Sequence, residues 1–211
     1  MHLSFFSTRL TKQLKACIKY FKALNQLQIV VFSCYIRRNY PAKSHFYEQE
    51  IHEHRLKLLI AMQKMRTVAA QDTQNNLGKL ENLYEIIFSL NTLKLRITDH
   101  TTFEICETEF KTISRSLSDA LQHVIIFLNW QCDQPKKISL ENVSDPKASA
   151  LLDGAAKVIG SLSNKIDALD ELYRNTLQVT SADPIFFLFF IQDLMALRDE
   201  LESFFLGLLN G

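Results

Sequence analysis

Apolar residues recur at alternating intervals of three and four along most of this chain, and that spacing confines it to helices. Phe103, Cys106, Phe110, Ile113, Leu117, Ala120 and Val124 run 3-4-3-4-3-4. Such a repeat keeps every member on one stripe of a 3.6-residue helix, whereas a half-buried strand needs period two. The same spacing recurs in Tyr47, Ile51, His54, Leu58, Ala61, Met65 and Val68, in Leu152, Ala155, Ile159, Leu162, Ile166, Leu169 and Tyr173, and in Phe187, Phe190, Leu194, Leu197, Leu201, Phe204 and Leu208. Shorter versions occupy Leu10, Leu14, Cys17, Phe21, Leu24 and Leu83, Ile86, Leu90, Leu93, Ile97. Five Gly and four Pro in 211 residues supply neither the tight turns of an all-β fold nor a Gly-rich phosphate loop. The expected fold is all-α: an elongated bundle of five or six long, mostly antiparallel helices in one domain over 1–211.

Punctuation divides the seams. A first helix starts near Ser4 and ends before Tyr40-Pro41, since the residue ahead of a proline leaves the helical region. A second begins at Ser44 and runs to about Gln71. The polar stretch Asp72 to Asn76 with Gly78 marks a break before a third helix over about 77–98. Thr101-Thr102-Phe103-Glu104 reads as a capping box opening a fourth, which ends near Cys132. Residues 133–143 form the longest loop, expected to be flexible and the best place to nick the chain. Pro146 and Pro184 each follow Ser and Asp residues and suit the first position of the last two helices.

Charge is distributed unevenly. Residues 1–66 carry twelve Lys/Arg and three acids, a net of +9, and residues 67–211 carry twelve and twenty, a net of −8. On the first helix Lys12, Lys15, Lys19 and Lys22 share a stripe opposite Leu14, Cys17 and Phe21, and Arg37-Arg38 follow the apolar stretch Leu27 to Ile36. Such a stripe faces water and the chain's own acidic half, or it faces an anionic surface. Among anionic partners a membrane suits it better than nucleic acid. A basic helix with an apolar segment, and Phe5 and Phe6 at its tip, fits an interface, while aromatic stacking groups beyond Tyr20 and a docking motif are missing. No apolar run approaches the roughly 20 residues of a spanning helix.

Catalytic chemistry finds little purchase. Cys17, Cys34, Cys106 and Cys132 form no CxxC pair and suit a reducing compartment. Glu48 and His52 stand four apart and could share a metal, but His54 falls about 200° around the helix from His52, so the two imidazoles cannot converge on one ion. The expectation is that Glu48 and His52 are solvated and that His54 is a core or interface histidine. Carboxylates at Asp167, Asp170, Glu171, Asp199, Glu200 and Glu202 read as solvated faces. No catalytic, cofactor-binding or metal-binding residue is expected, and no enzymatic activity.

Two segments carry a likeness: NYPAKSHFYEQEIHEHRLKLLIAMQKMR (39–66) and LENLYEIIFSLNTLKLRITDHTTFEICETEF (80–110), with Tyr40-Pro41, Glu50, His54-Arg55 and Asp99-His100 as polar landmarks. They resemble the cytoplasmic helical domain of bacterial fusaric-acid-resistance-type, aromatic-acid-exporter-like membrane proteins. The resemblance implies a non-enzymatic module at the inner face of the bacterial inner membrane, contributing to assembly, gating or partner contact beside membrane-embedded helices. Lys12, Lys15, Lys19, Lys22, Arg37 and Arg38 are then the membrane- or anion-facing set. The alternative is a free-standing helical interaction or adaptor protein, such as a secreted bacterial effector, working through a protein partner or a second copy of itself.

Overall fold

Six α-helices account for the described residues of a computed structural model, namely 3–36, 44–68, 74–93, 104–133, 146–178 and 184–210. They are α1 (Leu3–Ile36), α2 (Ser44–Val68), α3 (Gln74–Leu93), α4 (Glu107–Cys132), α5 (Pro146–Leu172) and α6 (Pro184–Asn210). A π-helical turn, Tyr173–Leu177, prolongs α5. No strand occurs among the described residues. The 34 residues of α1 give it a length of about 50 Å at 1.5 Å per residue.

Side-chain bonds fix the directions. On α3 and α6, Lys79 Nζ donates to the Ser203 carbonyl at 3.1 Å, Asn82 Nδ2 to Glu200 Oε1 at 3.1 Å and Ser89 Oγ to Asp193 Oδ2 at 2.6 Å. Numbers rise on one helix as they fall on the other, so the pair is antiparallel. The same holds for α2 and α3 through Arg66–Glu81 and Arg55–Tyr84. It holds for α1 and α4 through Gln28–Ser114 and Lys15–Cys132, and for α5 and α6 through Tyr173–Phe187 and Arg198–Ser163. Every helix therefore reverses its predecessor's direction or that of the helix it packs on, the arrangement expected from the seams. α1 lies most extensively against α4 and α2; α5 extends the layer beyond α4, and α6 joins α5 to α3.

The core forms where these stripes meet. Phe32, Tyr35, Phe110, Phe187 and Phe190, from α1, α4 and α6, make a ring cluster with centroids 4.8 to 6.4 Å apart. The tyrosine hydroxyls of α1 are satisfied on α3: Tyr20 donates to the Leu80 carbonyl and Tyr35 to that of Leu90. A buried phenol needs such a partner, so these two bonds set the register of α1 on α3.

Several boundaries depart from the sequence expectation. α3 begins at Gln74, so Gln74 to Asn76 and Gly78 are helical rather than a break. Its centre shifts too: Ile87 is buried and Ile86 only half-buried. α4 begins at Glu107 behind a break at Cys106 (φ −94°, ψ 5°), with no side-chain cap there, and Glu107 and Glu109 in its first turn complement the helix dipole. Pro146 and Pro184 open α5 and α6 as expected. Thr101 to Phe103, Asp99-His100, Tyr40-Pro41, Ile97 and most of the 133–143 loop lie outside the described residues.

Candidate functional site

The basic stripe survives folding as a surface. Lys12, Lys15, Lys19 and Lys22 are all exposed on α1, and Gln26 and Ile29 continue the same stripe. The rest of the helix is committed to the core, where Ile18, Phe21, Leu24, Leu27, Val30, Val31 and Phe32 are buried. α1 packs on α2 and on α4 with α3 behind it, and over residues 11–36 its fully exposed side chains are those of this stripe. Among the described residues none of the four lysines forms an ion pair. The charge of Lys15 is felt across the α1–α4 contact, where it partly offsets the burial that raises the Cys132 thiol.

The acidic half does not close over the stripe. Its exposed carboxylates include Asp153, Asp167 and Glu171 on α5 and Asp199 and Glu202 on α6. Several have local partners. Asp170 holds Arg174 at 2.9 Å, and Arg198 lies 2.8 Å from Asp199 and 3.6 Å from Asp167. α1 is therefore basic and the solvent face of α6 acidic, while on α5 and its π-helical turn the four carboxylates are matched by Lys147, Lys157, Lys165 and Arg174, and α4, which packs on α1, carries exposed Asp119 and is flanked by exposed Glu104 and Asp133. Arg37 and Arg38 lie outside the described residues, and nothing is described of the side chains of Phe5 and Phe6.

α2 extends the basic surface. Arg55 reaches Tyr84 Oη at 2.7 Å and sits 4.2 Å over the Phe88 ring, so its flank of α2 faces α3. At about 100° per residue, Lys57 and Lys64 fall on the opposite flank, the one that borders α1. Both are exposed. Arg66 on α2 meets Glu81 at 2.7 Å, and Tyr20 on α1 meets Leu80. The C-terminal half of α2 thus stands level with Lys19 and Lys22 of α1, and Lys57 and Lys64 extend the basic surface from that end of the stripe.

Beside them lies an apolar stripe outside the 47–68 seam. Leu56, Leu59 and Ile60 are 52%, 40% and 49% exposed. They lie on the side of α2 opposite Ile51, Leu58, Met62 and Met65, which are buried. α2 thus carries two apolar stripes, one inside and one out. The signal was present in RLKLLIAMQKM, where apolar residues occur off the 47–68 seam, but a second stripe looks like seam width until burial is known.

The Glu48, His52, His54 group does not come together. Glu48 and His52 are exposed, and His54 is half-buried on the core side of the helix. No cluster of three metal-ligating side chains occurs among the described residues. The thiols are held in their protonated form: burial, helped by the charge of Glu109, pushes Cys106 up to about 12, and burial with Cys132 nearby pushes Cys17 up to about 12. Neither is an activated nucleophile, which requires a depressed value. No described helix is long and apolar enough to cross a membrane. The chain matches no family model, no curated protein and no solved structure.

Proposed function

We propose that this chain is a non-enzymatic helical module that works against an anionic membrane surface, at the cytoplasmic face of a bacterial inner membrane and beside the membrane-embedded helices of an exporter-like protein. Its role there is in assembly, gating or partner contact. The observation that carries the reading is the exposure of Lys12, Lys15, Lys19 and Lys22 in one row that forms no ion pair among the described residues, on a helix that is otherwise buried or half-buried over residues 11–36 apart from Gln26 and Ile29 of the same stripe. Charge that is neither neutralised within the described fold nor needed to hold it is available to an external anion. A module lying against membrane-embedded helices on the cytoplasmic side meets anionic headgroups and is basic where it meets them. The likeness of residues 39–66 and 80–110 to the exporter-type cytoplasmic domain supports the same placement.

Cosedimentation with vesicles tests the reading. Each lysine near an anionic bilayer contributes about 1 kcal/mol, screened by salt over roughly 10 Å. The wild-type protein is expected to pellet with phosphatidylglycerol-containing vesicles at low salt and not with phosphatidylcholine alone. The variant with Lys12, Lys15, Lys19 and Lys22 changed to Gln is expected to lose that binding with an unchanged circular dichroism spectrum. Equal, negligible binding of the wild type to both vesicles overturns the reading.

A further inference from the structure

Among the described residues nothing covers the outer stripe of α2. Leu56, Leu59 and Ile60 project at i, i+3 and i+4 from a helix whose opposite side is already packed, so the fold gains nothing from keeping them apolar. They form one continuous patch over about one turn, not scattered surface residues. Their surroundings are specific. Lys57 and Lys64 stand on the flank toward α1, and beyond them come the Lys19 and Lys22 side chains; Ile29, also exposed, lies on the α1 stripe near the level of Lys57. The opposite end of the same helix is different in kind, with exposed Glu48 and Glu53. The three-residue patch therefore lies beside the basic part of α2; Phe46, 57% exposed, stands apart from it near the acidic end.

That pairing discriminates between occupants. A nucleic acid would use the lysines and leave three aliphatic side chains against a polar backbone. A second copy laid antiparallel on this patch would set Lys64 opposite the exposed Glu53 of the other copy, but it would leave Lys57 and the α1 lysines without an anion. An anionic bilayer takes both features at once: headgroup phosphates accept the ammonium groups, and the acyl boundary accepts the aliphatic chains. We propose that Leu56, Leu59 and Ile60 form an insertion ridge that anchors this face in an anionic lipid bilayer, with Lys57 and Lys64 at headgroup level and the α1 lysines providing the long-range attraction. This rests on the membrane-surface reading above and adds a second, non-electrostatic component to it. Electrostatics alone gives binding that salt abolishes; a ridge in the acyl boundary leaves a fraction that salt does not remove.

The test separates the two components. Leu59→Trp places a reporter on the ridge, while Trp130, buried on α4, serves as the internal control in the otherwise wild-type protein. With phosphatidylcholine/phosphatidylglycerol vesicles carrying brominated acyl chains, the Leu59→Trp emission is expected to shift to the blue and be quenched, and that of Trp130 alone to be unaffected. Leu56→Gln/Ile60→Gln is expected to keep low-salt binding but lower partitioning at moderate salt by at least about tenfold, the lower bound for losing two even partly inserted aliphatic chains. Both variants change outward-facing residues, and wild-type circular dichroism and melting confirm that they fold. Unquenched Leu59→Trp emission on bound protein, with the Gln variant binding like the wild type at every salt, overturns the ridge and leaves the lysine reading standing. No binding at low salt overturns both. A lipid-free dimer in sedimentation velocity that the Gln variant dissociates also overturns the ridge, because its occupant is then a second copy.

Discussion

Gln28 on α1 and Ser114 on α4 bond to each other twice across the helix interface. Ser114 Oγ donates to Gln28 Oε1 at 3.2 Å, and Gln28 Nε2 donates to the Ser114 carbonyl at 3.4 Å and to Asn25 Oδ1 at 3.0 Å. Gln28 is fully buried, flanked along α1 by Leu24, Leu27, Val31 and Phe32. A fully buried amide is tolerated only when its donors and acceptor are met, and here they are met by partners on its own helix and the next. The pair fixes how far α1 can slide along α4, which the interchangeable aliphatic contacts around it do not.

Removing one partner should therefore cost more than the bond is worth. Gln28→Ala strands the Ser114 hydroxyl and opens a void, and a destabilisation of about 1–3 kcal/mol from the unmet polar group is expected, with a cavity contribution beside it. Ser114→Ala should cost less, and the double variant less than the sum of the two. Urea titration of the four proteins measures this coupling. Strict additivity would show that the two side chains do not work as a unit.

Gln28 also shows where sequence reading runs out. It stands inside an apolar stretch, and nothing in its neighbours says whether a polar residue there faces water or a partner eighty-six positions away. The seams of α5 and α6 were legible almost residue by residue: Ile159, Leu162, Ile166 and Leu169, and Phe187, Phe190, Leu194, Leu197 and Leu201, are buried as their spacing requires. α3 was less legible because it packs on three neighbours. Leu80, Leu83, Tyr84, Ile87 and Leu90 make a broad buried face, and a narrow 3-4 stripe does not fix its centre. The lysine stripe was legible, since four like charges at helical spacing can only form a face. The ridge of Leu56, Leu59 and Ile60 was not, because periodicity identifies apolar stripes without saying which of two faces inward.

The two glycines of α5 should respond differently to alanine. A Cβ on Gly160 meets nothing within 4 Å, so the substitution collects the helix propensity difference of about 1 kcal/mol. A Cβ on Gly154 lies 3.2 Å from His123 Cε1 and 3.4 Å from Nδ1. The imidazole must give way, and its buried Nδ1 makes no hydrogen bond with the protein to guide the shift. Gly160→Ala is expected to raise the melting temperature by about 2–4 °C, and Gly154→Ala to fall short of it. In a His123→Ala background the Gly154→Ala gain should recover. Equal shifts for the two single variants would mean that the α4–α5 contact is loose enough to absorb a methyl group.

Asp193 offers a test in pH. Its carboxylate accepts the Ser89 hydroxyl at 2.6 Å in the α3–α6 contact. Burial raises its pKa above the ordinary value, and the Ser89 bond only partly opposes this. In the unfolded chain the group titrates near about 3.9. Between that value and the raised folded one, the folded protein holds more of the proton than the unfolded chain does. The contribution of Asp193 to stability is therefore full below about pH 3.9, falls as pH climbs through the folded pKa, and is level above it. Asp193→Asn keeps an oxygen for Ser89 and never ionises. Its stability relative to the wild type should thus be smallest in acid and rise through that window to a plateau at neutral pH, where the wild type carries a partly desolvated charge. Comparing the two proteins cancels the titration of every other carboxylate that does not sense position 193. Urea midpoints of both across the acid-to-neutral range measure the difference directly; a difference independent of pH, or one that turns against Asn as pH rises, would mean that the ionised carboxylate is the better fit between α3 and α6.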